Sequence, residues 1–164
     1  TPIIRFNEDF IIGDISQDTI YQYSKNKTLT PILVKTPSIY SQDPQMMVIP
    51  EFKTPKLFFL ERTERKFNFE TKEGFEREKI VYDYQSGLFY KYALKNKDYP
   101  NQIFYLNSGG YAYRTGKNTL CQFISAEELI EANDEGELHG TLKDITKTLR
   151  IDDNPVLMIM KFRE

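Results

Sequence analysis

The sequence predicts an all-β protein built from antiparallel meanders. Two observations carry that prediction. The phrase Ile20-Tyr21-Gln22-Tyr23-Ser24 returns 61 positions later as Val81-Tyr82-Asp83-Tyr84-Gln85, each time followed by a polar turn and a second apolar run. An aliphatic-Tyr-x-Tyr strand that recurs in this way marks repeated sheet units packed through their faces. The second observation is the aromatic load: 12 Phe and 11 Tyr, with no Trp, in 164 residues. Aromatic side chains of this kind favour strands over helices.

The first strands follow in order. Ile3-Ile4-Arg5-Phe6 is a short apolar run and Asn7-Glu8-Asp9 a turn. Phe10–Gly13, Thr19–Tyr23 and Leu29–Val34 are the next strands, with Ser16-Gln17-Asp18 and Ser24-Lys25-Asn26-Lys27 as polar punctuation. Pro31 removes a backbone donor and implies an edge position or a strand start. Residues 36–55 carry Pro37, Pro44, Pro50 and Pro55 and read as a connector at a unit boundary, with Met46-Met47-Val48-Ile49 as a short inner strand.

A second β stretch begins at Lys56–Arg62. Glu64 to Glu78 reads as a strand extension and a long loop carrying Phe67, Phe69 and Phe75. Lys79–Tyr84 and Leu88–Leu94 flank Gln85-Ser86-Gly87 and form a hairpin. A third pair is expected between Gln102–Leu106 and Tyr111–Arg114, turning at Asn107-Ser108-Gly109-Gly110, with Leu120–Ile124 as a further strand.

The texture then becomes helical. Ser125 and Glu128 form a capping box, Ala126 to Glu135 a helix, and Gly136 its stop. A second helix is expected over Leu142–Leu149 with Thr141 as cap. Val156–Phe162 is almost continuously apolar and suits a buried closing strand that rejoins the N-terminal ones.

Composition limits the function. Lys plus Arg is 22, Asp plus Glu is 24, and the net charge is −2, with the signs interspersed. Nothing there draws the chain to nucleic acid or anionic lipid. No apolar run approaches the roughly 18 residues of a membrane span. The chain opens at Thr1 without a Met, so a processed boundary is expected, ahead of which a targeting segment or further sequence can lie.

No catalytic or metal-binding signature stands out, and no cofactor is expected. Cys121 is the single cysteine and His139 the single histidine, which suit a buried apolar position and a surface loop. The acid pairs Glu127-Glu128, Asp134-Glu135 and Asp152-Asp153 read as capping or solvated groups. Phosphate-loop, dinucleotide and nucleophile-elbow motifs are missing. The tyrosines remain. Tyr82, Tyr84, Tyr90 and Tyr92 alternate on adjacent strands and are expected on one sheet face, while Tyr105, Tyr111 and Tyr113 form a second group. Exposed, such rows bind sugars or peptides; between packed sheets they are core.

Three stretches carry a family resemblance: Leu29 through Ile39, Ile80-Val81-Tyr82-Asp83-Tyr84, and the tail from Glu127-Glu128-Leu129 through Asp152-Asp153-Asn154-Pro155-Val156-Leu157-Met158. They resemble the later blades of predicted six-bladed β-propeller proteins, envelope lipoproteins of gut anaerobes that mostly have no assigned function. The likeness covers nearly the whole chain but only about the last half of such a protein. It implies a cell-envelope location, lipid-anchored in the full-length protein, and it brings no catalytic residues.

Blades take about 40–45 residues each. The chain therefore reads as one partial, three-blade assembly with units near 1–36, 46–94 and 102–164. An incomplete ring exposes sheet edges and so invites self-association. The function expected is non-enzymatic binding of a protein, peptide or glycan. The alternatives are part of a propeller hydrolase or lyase whose site is completed by sequence outside this chain, and an independent α+β interaction domain whose helices cover the sheet.

Overall fold

The computed structural model describes residues 2–66, 70–71, 75–106 and 118–163, and the backbone of 112–116. All the sheets among the described residues are antiparallel, none closes into a barrel, and two short helices accompany them. The chain divides into two compact units, the first ending at Tyr92 and the second spanning Ala93–Arg163.

The first unit holds two four-stranded meanders. Strands β1 (Ile3–Phe6), β2 (Asp9–Gly13), β3 (Thr19–Tyr23) and β4 (Leu29–Val34) lie in sequence order in one sheet. Asn7 and Lys27 take left-handed backbone angles (φ 57° and 64°) in two of its tight turns. Strands β5 (Met46–Lys53), β6 (Leu57–Glu64), β7 (Arg77–Asp83) and β8 (Leu88–Lys91) repeat the order in the second sheet. Pro31 and Pro50 both fall on outermost strands, β4 and β5, where a missing N–H costs no ladder bond on the open side. The expected short inner strand at Met46–Ile49 is in fact the eight-residue β5, which passes through the proline-marked connector to start the second sheet.

The repeated phrase occupies the third strand of each sheet, as β3 and β7. Its orientation tells how the sheets stack. Ile20 points into the core between them, with Phe6, Ile11, Phe58 and Leu60. Its counterpart Val81 faces the other way, and Tyr82 packs against that same core. In a two-fold sandwich both aliphatic residues would point inward. Here the equivalent residues face the same direction, so the sheets stack head to tail. Gly13 of β2 makes the close approach possible: a β-carbon there would lie 2.6 Å from Pro50 Cδ of β5.

The second unit contains a hairpin of β9 (Leu94–Asn96) and β10 (Tyr99–Phe104), and a sheet ordered β11 (Ala112–Gly116), β12 (Thr119–Ile124), β13 (Val156–Lys161). Its core joins Tyr99, Phe104 and Ile124 to Leu129, Ala132, Leu138 and Leu142 of the helical segment. Helix α1 (Ala126–Asp134) starts as expected, with Ser125 Oγ accepting the Glu128 N–H. Cys121 is buried, also as expected.

Three expectations fail in this unit. Tyr99–Phe104 pairs back on Leu94–Asn96 and does not pair with the strand after Asn107–Gly110; β11 pairs with β12 instead. The turn residues 107–110 lie outside the described residues. The closing strand does not rejoin the N-terminal strands: β13 pairs along its length with β12, from Ile124↔Val156 to Thr119↔Lys161. It is also not buried on both faces, because Leu157 and Ile159 are exposed. The apolar run satisfied a core on one side only, and periodicity is silent when both faces are apolar.

The second helix is the third correction. Helix α2 runs Gly140–Thr146, with His139 at the cap position making no side-chain bond. Asp98, from the β9–β10 turn, acts in its place. Its carbonyl accepts the His139 N–H at 2.8 Å and its carboxylate the Leu142 N–H at 3.4 Å. A distant acid thus meets the orphan donors of the helix start.

Candidate ligand groove and a buried ion network

A groove of about 810 Å³ opens between the two sheets of the first unit. One wall is the end of β4 and the segment after it, with Leu33, Val34, Lys35 and Pro37. The other is the face of the second sheet turned toward the first, with Val48, Ile80, Tyr82 and Phe89, rimmed by Tyr84 and Tyr90. Period-two alternation explains the aromatic grouping: Tyr82 and Tyr84 are two apart, and Tyr82 lies opposite Phe89 in the β7–β8 register. The Tyr82 ring meets Tyr84 edge-on at 5.0 Å and Phe89 at 4.8 Å. Tyr84, Phe89 and Tyr90 keep 40–52% of their surface exposed, enough to receive a ligand.

Charged groups border these rings. Arg62 Nε lies 3.0 Å from Glu78, and Lys91 also bonds that carboxylate. The Lys91 hydrogen bond chiefly, with Arg62 beside it, holds the Glu78 carboxyl below its ordinary range. On the opposite wall Lys35 Nζ is buried with no hydrogen-bond partner among the described residues. Its burial lowers the ammonium pKa, against the attraction of Asp18 and Asp14. Burial first and the neighbouring Tyr82 second push the Tyr84 phenol up to about 12. The buried Lys53 lies behind the Tyr84 ring, its ammonium 3.8 Å from the Phe6 ring centre and 5.0 Å from that of Tyr84.

The expected single face of Tyr82, Tyr84, Tyr90 and Tyr92 is not found. The register sets Tyr82 opposite Phe89 but Tyr90 opposite Val81, so Tyr82 and Tyr90 leave the sheet on opposite sides. A turn through Gly87 (φ 71°) fixes that odd offset. Tyr90 reaches the groove only as a margin residue of the edge strand. Tyr92 is elsewhere: its ring stands edge-on to Phe59 at 5.1 Å and its hydroxyl donates to Glu51 at 3.1 Å. Tyr105 lines a separate cleft of about 370 Å³ in the second unit, beside Phe123 and Glu128. Tyr111 lies outside the described residues, and of Tyr113 the backbone alone is described, opposite Cys121.

Sequence reading missed Phe89 and the groove charges. It also missed a buried network on the other face of the second sheet. Lys79 Nζ sits 2.5 Å from Glu51 and 2.7 Å from Glu61, with side chains 14%, 2% and 10% exposed. Thr63 donates to Glu61, and Arg77 approaches the same carboxylate at 3.8 Å. Burial and the adjacent Glu51 charge push the Tyr92 phenol far up. One signal was legible: Glu61 directly follows Leu57-Phe58-Phe59-Leu60 inside a strand, a place where a charge needs a partner. The partners come from β5 and β7, which no local pattern links. The acid pairs weighed from sequence have ordinary settings: Glu127 and Glu128 in the first turn of α1, Asp152 and Asp153 bonded to Arg150. Among the described residues no cluster of three or more His, Cys, Asp or Glu side chains is placed to hold a metal, and no helix is long and apolar enough to cross a membrane.

No protein-family model matches the sequence, and no curated protein does. A solved structure described as a "putative exported protein" from Bacteroides fragilis NCTC 9343 is similar in fold. Its TM-score is 0.60 at 14% identity, over 98% of this chain. This chain spans about half of that one (49%). The likeness shows a shared arrangement of antiparallel sheets. No family match stands behind the resemblance to envelope propeller lipoproteins.

Proposed function

We propose that this chain is a non-enzymatic binding segment of a β-propeller-like protein of the cell envelope, and that it holds a glycan in the groove between its first two sheets. The observation that carries the reading is the pair of exposed rings on one groove wall, Tyr84 and Phe89, beside the Arg62–Glu78–Lys91 ion cluster. Flat apolar rings accept the C–H faces of a sugar, and fixed charges with unused lone pairs and protons bind its hydroxyls. Head-to-tail stacking of like sheets supports the propeller-like part, since blades follow one another in that sense. The envelope location rests on the description of the similar structure as exported, together with the resemblance in sequence.

A glycan array followed by titration calorimetry tests the proposal. The expected result is binding that falls about tenfold or more in Tyr84→Ala and Phe89→Ala, since each ring supplies on the order of 1–2 kcal/mol. Binding of extended peptides and of no glycan would replace the ligand class. Silence toward both at millimolar concentration would sink the reading.

A further inference from the structure

Strand β13 keeps one long edge open. Among the described residues it pairs only with β12, as β9 pairs only with β10. Such an edge presents backbone N–H and C=O groups that its own sheet does not use. A groove of about 480 Å³ in the second unit is bounded by residues 94–97, by Phe104 and by residues 158–162. Successive strand side chains point to opposite faces, and burial alternates along β13 accordingly. A groove that touches residues 158–162 without a gap therefore follows the edge of the strand and not one face of it.

The register tells which backbone groups face the groove. Phe162 N–H donates to the Asn118 carbonyl at 2.9 Å, one step beyond the Thr119↔Lys161 pair. In an antiparallel ladder such bonded pairs alternate with unbonded ones. Met160 and Met158 thus turn their amides to β12, while Lys161 and Ile159 turn theirs to the open edge. The side chains define the ligand further. Leu94, Phe104, Met158 and Met160 give the groove apolar walls, and Lys95, Lys97 and Lys161 bring three cations. Among the described residues no carboxylate lines it, and none of these lysines enters an ion pair. Edge lysines deter pairing with a like edge. A strand that carries acids is their complement.

We propose that β13 receives along this edge an extended acidic peptide of a partner protein, which adds as a fourth strand beside β11, β12 and β13. Its main chain bonds the outward amides and carbonyls of Ile159 and Lys161. Its acids meet the three lysines, and its alternate aliphatic residues pack on the apolar walls. Main-chain bonds give such a contact its affinity, and side-chain complementarity gives it its choice of partner. The site shares no residue with the groove between the first two sheets, so it is independent of the glycan reading.

Titration of the full chain with a fluorescent peptide of alternating Glu and Val tests it, read by anisotropy and by amide hydrogen exchange. Saturable binding is expected, at least about tenfold tighter than that of the matching Lys and Val peptide. The Ile159 and Lys161 amides should exchange readily in the free chain and be protected at saturation. Of two peptides N-methylated at alternate amides, the one that blocks the amides facing β13 should bind about tenfold more weakly. Lys95→Glu/Lys161→Glu should turn the preference toward the lysine peptide while leaving the circular-dichroism spectrum unchanged. Ile159→Pro removes an outward N–H and no bond to β12, so it should also weaken binding. Lys97→Gln/Lys161→Gln, again weakening binding, replaces either variant should it fail to fold. Silence at millimolar concentration, equal affinity for the two peptides, binding that ignores N-methylation, or binding without protection at Ile159 and Lys161 would each overturn the proposal.

Discussion

Gly13 lies so close to Pro50 that no β-carbon fits between them; one placed at Gly13 would stand 2.6 Å from Pro50 Cδ and 2.7 Å from Cγ. Pro50 is fully buried and rigid, so it cannot swing aside. The contact sets how near β2 of the first sheet comes to β5 of the second. Gly13→Ala should cost about 1–3 kcal/mol through overpacking. Adding Pro50→Ala should recover part of that loss. Urea denaturation of the two singles and the double variant gives the coupling, and strict additivity would refute the steric account.

Lys79 lies between two carboxylates that are each no more than 10% exposed. Removing it leaves Glu51 and Glu61 facing each other without the cation. Lys79→Met is therefore expected to lower unfolding free energy by about 3–5 kcal/mol, the usual cost of stranding a buried charge. Lys79→Met with Glu51→Gln and Glu61→Gln should be far less damaging than the single change. A single variant as stable as the parent in chemical denaturation would show that the network contributes nothing.

Tyr84 carries the clearest pH signature. Its folded phenol is raised to about 12 from an unfolded value of 10.0. A group raised on folding contributes stability that is complete below the unfolded value and lost as pH climbs through the folded one. Stability should thus decline between pH 10 and about 12. Tyr92 shifts in the same direction and adds to the decline. Tyr84→Phe should flatten part of it. Phenolate absorbance followed against pH in parent and variant measures the shift directly; a Tyr84 that ionises at its ordinary pH would refute it.

Asp98 caps a helix 44 residues away, through its contact with Leu142 N–H. Asp98→Ala should cost about 1 kcal/mol, the ordinary worth of a capping side chain. Gly140 has a φ of 51°, and a β-carbon there would meet the Asp98 carboxylate at 2.7 Å. Gly140→Ala should therefore destabilise more than Asp98→Ala does. Thermal unfolding of both variants ranks them, and the reverse order would show that backbone strain, not the cap, is minor here.

Lys53 is buried, with no carboxylate in contact among the described residues, its ammonium held over the Phe6 ring. Burial lowers its pKa. A lysine lowered on folding makes stability rise with pH as the unfolded value of 10.5 is approached. Lys53→Met should remove that rise and leave neutral-pH stability equal or up to about 1 kcal/mol higher. A large loss of stability in Lys53→Met would instead assign real weight to the cation–π contact.

The sequence by itself determined β1 to β4 with their tight turns, the β7–β8 hairpin, and the start of α1 at Ser125. These are set by neighbours within a few residues: alternation, a left-handed turn residue, a capping side chain. It also placed the repeated phrase in equivalent positions. Tertiary structure alone decided what depends on contacts far apart in sequence. The register through Gly87 put Tyr82 and Tyr90 on opposite faces, and β13 chose β12 over the N-terminal strands. Glu51, Glu61 and Lys79 met from three strands, and Asp98 displaced a local cap at α2. A local pattern fixes which face of a strand is apolar, but only the whole packing fixes which surface covers it, because burial is a property of pairs of surfaces and a sequence lists one at a time.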